Sequence, residues 1–280
     1  MAIDVEQLEN EVLQVSNLPT LPNVVKDICA MVEDKRTGAS DIGEVVARDQ
    51  VLSAKILRLV NSPVYGFPGR ISSITHALVL LGFNVVKGLV LSTAVFDTFA
   101  QHTCGFWQHS LGCAIISRHL AKELAMADPE EIMVAGLLHD LGKAVLSFMA
   151  PHEFEEALAM AEENHCHIAV AEREVFGVDH ARVASWVARE WHLPDRLCDA
   201  LAYHHRPDLA KAGRQTTAVV HLADILTRGM GYGKPGDRAM PTLDHQAFHS
   251  LGVSYEQIDG VLEHAEMEYG ASADIFTNLE

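Results

Sequence analysis

Between Met133 and Met149 the chain reads MVAGLLHDLGKAVLSFM, an apolar run interrupted by His139, Asp140 and Lys143. A carboxylate inside such a run is costly, so whatever fold forms must bring a positive group to it. A bound metal cation is the usual solution. Read as part of one helix over 130–148, Lys143 follows His139 by four residues and Asp140 by three, which gathers all three around one face. The expected arrangement is two metal ligands with a cationic arm beside them. The alternative is a buried salt bridge between Asp140 and Lys143 or an arginine.

The rest of the chain is helical in pattern. Val24, Val25, Ile28 and Met31 follow a Thr20-Leu-Pro22 start suited to a cap and first turn. Asp41 and Glu44 have capping-box spacing ahead of Val45 and Val46. A short apolar helix over Val51–Val60 stops near Asn61-Ser62-Pro63. Ser72 or Ser73 starts a helix that ends at Gly82, and another runs from Phe83 to about Phe99. Further helices are expected at 107–126, 130–148, 152–165, 167–176, 180–191, 195–205 and 215–228, then a Gly/Pro-rich loop at 229–241 and a helical tail near 254–270. No alternating strand of useful length occurs, so the expected class is all-α.

Nearly half the residues are hydrophobic and the net charge is -17, so the chain has material for a packed core but no basic surface for nucleic acid. A small phosphorylated ligand stays admissible, because a metal site reverses the local field. The N-terminal MAIDVEQLENEV has neither the basic nor the apolar region of a signal peptide. The longest apolar candidate for a span, Ala77–Leu91, contains Gly82, Asn84 and Lys87, so no membrane segment is expected. Five scattered cysteines without CxxC spacing read as reduced thiols, hence a cytoplasmic location.

Other polar residues share the character of the His-Asp pair. His109 lies on one helical face with Cys113 and Ile116. His180 follows Asp179, a candidate helix cap. His204 and His205 are adjacent before Arg206-Pro207. Asp224 sits in the apolar AVVHLADIL, with His221 a turn earlier as its hydrogen-bonding neighbour. Five imidazoles and two carboxylates can hold two divalent metals, Fe or Mn by the mixture of donors, with Zn or Ni also admissible. His165-Cys166-His167 reads as a surface loop between helices. Trp107, Trp186 and Trp191 read as core, while His76, His119 and His192 read as exposed or paired with neighbours.

The order His109, His139-Asp140 with Lys143, His180, His204-His205, Asp224 resembles the HD metal-dependent phosphohydrolase superfamily. Upstream, LPTLPNVVKDI, VVARDQVLSAKILRLVNSPVYG and ISSITHALVLLGFNVVKGLVL resemble the HDOD family, the HD-related output domains of bacterial signalling, from about Leu18 to Leu226. The resemblance implies an HD-like helical bundle at 107–228, an N-terminal HDOD helical half at 18–106 and a leader at 1–17. The segments 229–241 and 242–280 follow as a loop and a helical tail. It also implies one metal on His109, His139, Asp140 and Asp224, and a second on Asp140 as bridge with His180, His204 and His205.

Two features depart from the cyclic-dinucleotide phosphodiesterase branch. No Gly-Tyr-Pro motif follows the His pair, and Gly105 stands where some members carry a third-metal Glu four residues before the first His. A binuclear site is therefore expected, and cyclic-di-GMP is not the favoured substrate. Three functions fit. One is a phosphohydrolase for a nucleotide-like phosphoester, with Asp140 bridging the metals and Lys143 contacting phosphate. The second is a catalytically silent signalling module that binds a protein partner, its metals structural or sensory. Carboxylate-bridged di-iron oxygen chemistry is the third.

Overall fold

The helical pattern is realised as fifteen α-helices and one 3-10 turn, with no strand among the described residues. The computed structural model describes residues 4–13, 27, 28, 31, 38–65, 67, 69–99 and 105–272. Most of the helix expected after Thr20 lies outside them. The N-terminal part holds α1 (Val5–Leu13), α2 (Ala39–Ala47), α3 (Gln50–Val60), α4 (Ile74–Leu81) and α5 (Phe83–Phe99).

Local chemistry sets these limits. Gly38 is the residue that caps α2, and Asp41 serves from three positions inside by accepting the Gly38 N–H at 2.8 Å, so Asp41 supports the cap rather than starting the helix. Asp49 accepts the Leu52 N–H at 3.0 Å to open α3, and Ser73 accepts the His76 N–H at 3.1 Å to open α4. Asn61 closes α3 and clasps the returning chain, donating to the Ile71 carbonyl at 2.8 Å and accepting the Ile71 N–H at 2.7 Å.

From residue 106 the elements are α6 (Phe106–Glu123), α7 (Pro129–Leu138), α8 (Leu141–Met149), α9 (Pro151–Glu163), α10 (Ile168–Phe176), α11 (His180–Glu190), α12 (Asp195–Tyr203), the 3-10 turn Pro207–Leu209, α13 (Arg214–Gly229), α14 (His245–Leu251) and α15 (Tyr255–Ser272). Helix α14 lies within the helical tail expected over 242–280, ahead of the helix expected near 254–270. Helix α6 is the hub, packed by α7, α13 and α15, and α5 lies against α7 and α8. One continuous apolar core runs from Leu8 and Val46 to Val261. All three tryptophans belong to it.

The single helix expected over 130–148 is two helices meeting at His139–Asp140. Asp140 takes φ -94°, ψ 13°, and the Lys143 N–H bonds the Asp140 carbonyl three residues back. The His139 Nδ1 meanwhile bonds the Gly136 carbonyl at 2.7 Å. The two ligand candidates therefore sit at a junction, not on a helix face. This stretch, Pro129–Met149, has the length and apolarity of a membrane span and is longer than the expected candidate Ala77–Leu91. Within it, 89% of the most apolar 18-residue window is buried inside the protein, as a core element is.

Candidate metal centre

Five separate chain regions bring the seven candidate residues to one place. His109 comes from the first turn of α6, His139 and Asp140 from the α7–α8 junction, and His180 from the first residue of α11. His204 and His205 come from just past the end of α12, and Asp224 from the middle of α13. Gly142 makes the central approach possible. A Cβ there would fall 1.9 Å from the His180 carbonyl oxygen, so only glycine lets the start of α8 lie against the start of α11. The N-terminus of α11 is capped by Asp179, which accepts the Arg182 N–H at 3.1 Å.

The donor atoms fall into two groups. His109, His139 and Asp224 offer one set of atoms within 4.8 Å of each other, and His180, His204 and His205 offer another. Asp140 lies between them. Its Oδ2 is 3.3 Å from His139 Nε2 and 3.7 Å from His109 Nε2. Its Oδ1 is 3.3 Å from His180 Nε2 and 3.9 Å from His204 Nε2. His109, His139, His180 and His204 are fully buried, Asp140 and Asp224 nearly so, and His205 alone of the seven keeps some exposure.

Three rings are oriented from behind. Nδ1 of His139, His180 and His204 faces, respectively, the Gly136 carbonyl at 2.7 Å, Glu172 Oε2 at 2.6 Å and the Leu201 carbonyl at 3.0 Å. Donation from Nδ1 leaves Nε2 as a lone-pair donor aimed inward, the arrangement typical of metal-binding imidazoles. Nε2 of His109, His139 and His204, and Oδ1 of Asp140, are buried without a hydrogen-bond partner. The 3.0 Å approach of His109 Nε2 to Asp224 Oδ1 is an electrostatic contact only. Buried polar atoms are seldom left so, and a shared cation is what these donors fit.

Charge points the same way. Four buried carboxylates lie around the centre with two basic side chains: Lys143 pairs with Asp140, Arg228 pairs with Asp224 and Asp237, and Glu172 pairs with His180. Burial works against ionising Asp140, but His139 and Lys143 hold its carboxyl well below the usual range. Burial likewise opposes Asp224, and Arg228 foremost keeps it ionised. Burial, reinforced by neighbouring imidazoles, holds His204 and His205 neutral, as ligation requires. Burial also lowers His109, against the pull of Asp224. For His139 and His180 burial is outweighed, by Asp140 and by Glu172 respectively, and His180 is raised to about 9.

Several residues around the centre differ from their sequence reading. Lys143 is fully buried, its Nζ donating to Asp140 Oδ2 at 2.7 Å and to the Pro235 carbonyl at 2.9 Å, so it is engaged as an orienting cation. His221 does not pair with Asp224. Its Nδ1 lies 2.7 Å from the His204 carbonyl, and its Nε2 accepts the Asp244 N–H at 2.9 Å. His167 is not merely a loop residue. It caps α10, its ring stands 4.6 Å from that of His205, and its Nε2 is 3.2 Å from Arg228 Nη2. Burial and then Arg228 lower its pKa to about 4.

The segment after α13 is part of the site's wall. Gly233, at φ 69°, presses against the backbone of His109, Pro235 receives Lys143, and Asp237 receives Arg228 at 3.0 Å. Glu172, Arg228 and Asp237 carried no sequence signal beyond their charge.

A family model, the HDOD domain, matches residues 18–207. Among solved structures, an HDOD domain protein of unknown function from Geobacter sulfurreducens is 27% identical, with a TM-score of 0.73 over 98% of this chain and 99% of that one. A protein from Marinobacter aquaeolei, provisionally assigned to signal transduction, is 22% identical with a TM-score of 0.72, over 94% of this chain and 60% of that one. One from Shewanella amazonensis, provisionally assigned as a phosphohydrolase, is 22% identical with a TM-score of 0.63, over 94% and 90%. These last two likenesses concern the fold. A curated, uncharacterised protein of Treponema pallidum is 24% identical over 224 residues, 77% of this chain, and the chain spans 43% of that relative's length.

Proposed function

This chain belongs to the HDOD domain family, and we propose that it is a metal-dependent phosphohydrolase of signalling type, with a binuclear centre acting on a nucleotide-like phosphoester. The observation that carries this reading is the split of the Asp140 carboxylate between two donor groups, three imidazoles on one side and two imidazoles with Asp224 on the other. His109, His139, Asp140 and Asp224 would hold one divalent cation, and Asp140, His180, His204 and His205 the other. Bound there, such ions supply Lewis acidity toward a phosphoryl oxygen and a water acidic enough to attack at neutral pH. Fe or Mn suits the mixed donors best, with Zn or Ni also accommodated.

The chain's own residues fix the donors. Glu172 and the carbonyls of Gly136 and Leu201 hold Nε2 of three rings inward. Lys143 turns Asp140, and Arg228 turns Asp224 through a 3.2 Å contact. His205 marks the side from which a substrate approaches, with His167 beside it.

The test is hydrolysis of aryl phosphoesters, nucleotides and cyclic dinucleotides by protein loaded with Mn2+ or Fe2+. Metal-dependent turnover that Asp140→Asn abolishes supports the proposal. Fully loaded protein that is inert across the series overturns it. The burial of six of the seven donors favours a second reading, a silent module whose metals tie the helices together. Its signature is a large fall in Tm with chelator and no turnover.

A further inference from the structure

After α13 the chain passes back across the metal centre, and its attachments there are polar. The Lys234 N–H bonds the Gly105 carbonyl at 3.0 Å, just ahead of α6. The Pro235 carbonyl accepts from Lys143 Nζ at 2.9 Å, and Lys143 in turn holds Asp140. Asp237 accepts from Arg228 Nη1 at 3.0 Å through Oδ1 and from the Ile168 N–H at 3.2 Å through Oδ2. Asp140 and Asp224, the two carboxylates of the donor set, are thus each joined to this segment through one basic side chain.

No side chain from 233 to 240 takes part in the apolar core. Tyr232 ahead of it stacks on Tyr269, and Leu243 beyond it packs against the core. A segment fastened by a few polar bonds between two apolar anchors opens at low cost. Gly233 and Gly236, at φ 69° and 103°, supply the backbone freedom for that movement.

The contacts of Asp237 have the form of an anion seat. The Arg228 side chain is buried between two carboxylates, with Nε 3.2 Å from Asp224 Oδ1 on the side of the donor set and Nη1 turned to Asp237. Phosphate engages a guanidinium through the same paired acceptors as a carboxylate and carries more charge. A phosphate group entering the centre therefore competes with Asp237 for Arg228.

We propose that residues 233–240 form a lid over the metal centre, latched by Asp237, whose carboxylate keeps the place on Arg228 that a phosphate group of the substrate takes. The phosphate as displacing group rests on the phosphohydrolase reading, and the lid does not. Opening also frees the Lys143 donor that Pro235 now holds.

Amide hydrogen exchange of the full chain tests both parts. In Asp237→Asn the Lys234 amide should exchange about tenfold faster, because a charge-assisted latch is lost, while amides within α6 and α13 keep their rates. In the wild type with Mn2+, inorganic phosphate should speed Lys234 in the same way and leave the Ile168 amide slow, since phosphate replaces Asp237 on that donor. An unchanged Lys234 rate in Asp237→Asn, or a loss of protection spread through α6 and α13, overturns the lid. A Lys234 rate indifferent to phosphate, or an Ile168 amide released along with it, overturns the phosphate seat. Phosphoester turnover with no response at Lys234 removes the lid alone, and a response at Lys234 with no turnover removes the phosphohydrolase reading alone.

Discussion

Replacing Glu172 with Gln separates two effects of one buried carboxylate. Glu172 is fully buried, and its Oε2 accepts the His180 N–H at 2.8 Å and faces His180 Nδ1 at 2.6 Å. The carboxylate makes His180 a better ligand, and loss of such a partner costs 10–100-fold in metal affinity, about 1.4–2.7 kcal/mol. It also makes His180 hold a proton that an incoming metal must displace. With His180 at about 9, that competition at pH 7.5 amounts to some 1.5 pH units, or about 2 kcal/mol, and it vanishes above pH 9. Gln keeps the size but relieves the competition. The affinity gap between wild type and Glu172→Gln should therefore be small at about pH 7.5 and open to 10–100-fold at about pH 9.5. Mn2+ titrations against a competing chelator, under argon, read this directly. A gap that stays constant across that interval, or that never opens, refutes the assignment of His180 as a ligand oriented by Glu172.

Gly142→Ala should destabilise the chain by about 3 kcal/mol and weaken metal retention, since its Cβ meets backbone at 1.9 Å; urea unfolding and metal content check both. Lys87→Met should cost about 1–3 kcal/mol in the same unfolding assay, because the buried Nζ donates to the Trp191 and His192 carbonyls at 2.6 and 3.1 Å and so closes the end of α11 from α5. Metal-depleted protein should lose stability between about pH 6.5 and 9: a raised His180 contributes fully below its unfolded value of 6.5, and that contribution disappears as pH passes about 9. The loss is at most about 3 kcal/mol, seen as a lower Tm at the alkaline end.

The helices were legible because their signals are local. Ser73 and Gly82 bracket α4, and Asp179 caps α11, each within a few residues of the element it bounds. The break at His139–Asp140 was not legible, since an apolar run with helical spacing carries no mark of a side chain that will capture the carbonyl of Gly136. The same limit made the segment from Gly229 to Pro241 read as a bare loop, although its Gly233, Pro235 and Asp237 form a wall of the centre.

The seven candidate donors stood out in the sequence because histidine or aspartate inside apolar helices is conspicuous. The groups that govern them are not. Glu172 lies in AVAEREVF and Arg228 at the end of a helix, both ordinary places for charged residues, and Asp237 sits among glycines and prolines. Their meaning exists only after folding, when Glu172 reaches His180 and Arg228 joins Asp224 to Asp237. Counted from the sequence alone, Asp140 finds its cation in Lys143 three residues away, and a salt bridge would complete the account. Counted in the fold, four buried carboxylates stand with two basic groups, and Glu172 has His180 as its partner instead of either. A buried deficit of that size persists only if protons on imidazoles or bound cations make it good. Burial holds His204 and His205 neutral and lowers His109, so without metal the deficit falls to protons on His139 and His180, raised by Asp140 and Glu172, and divalent cations are the charge that would displace those protons.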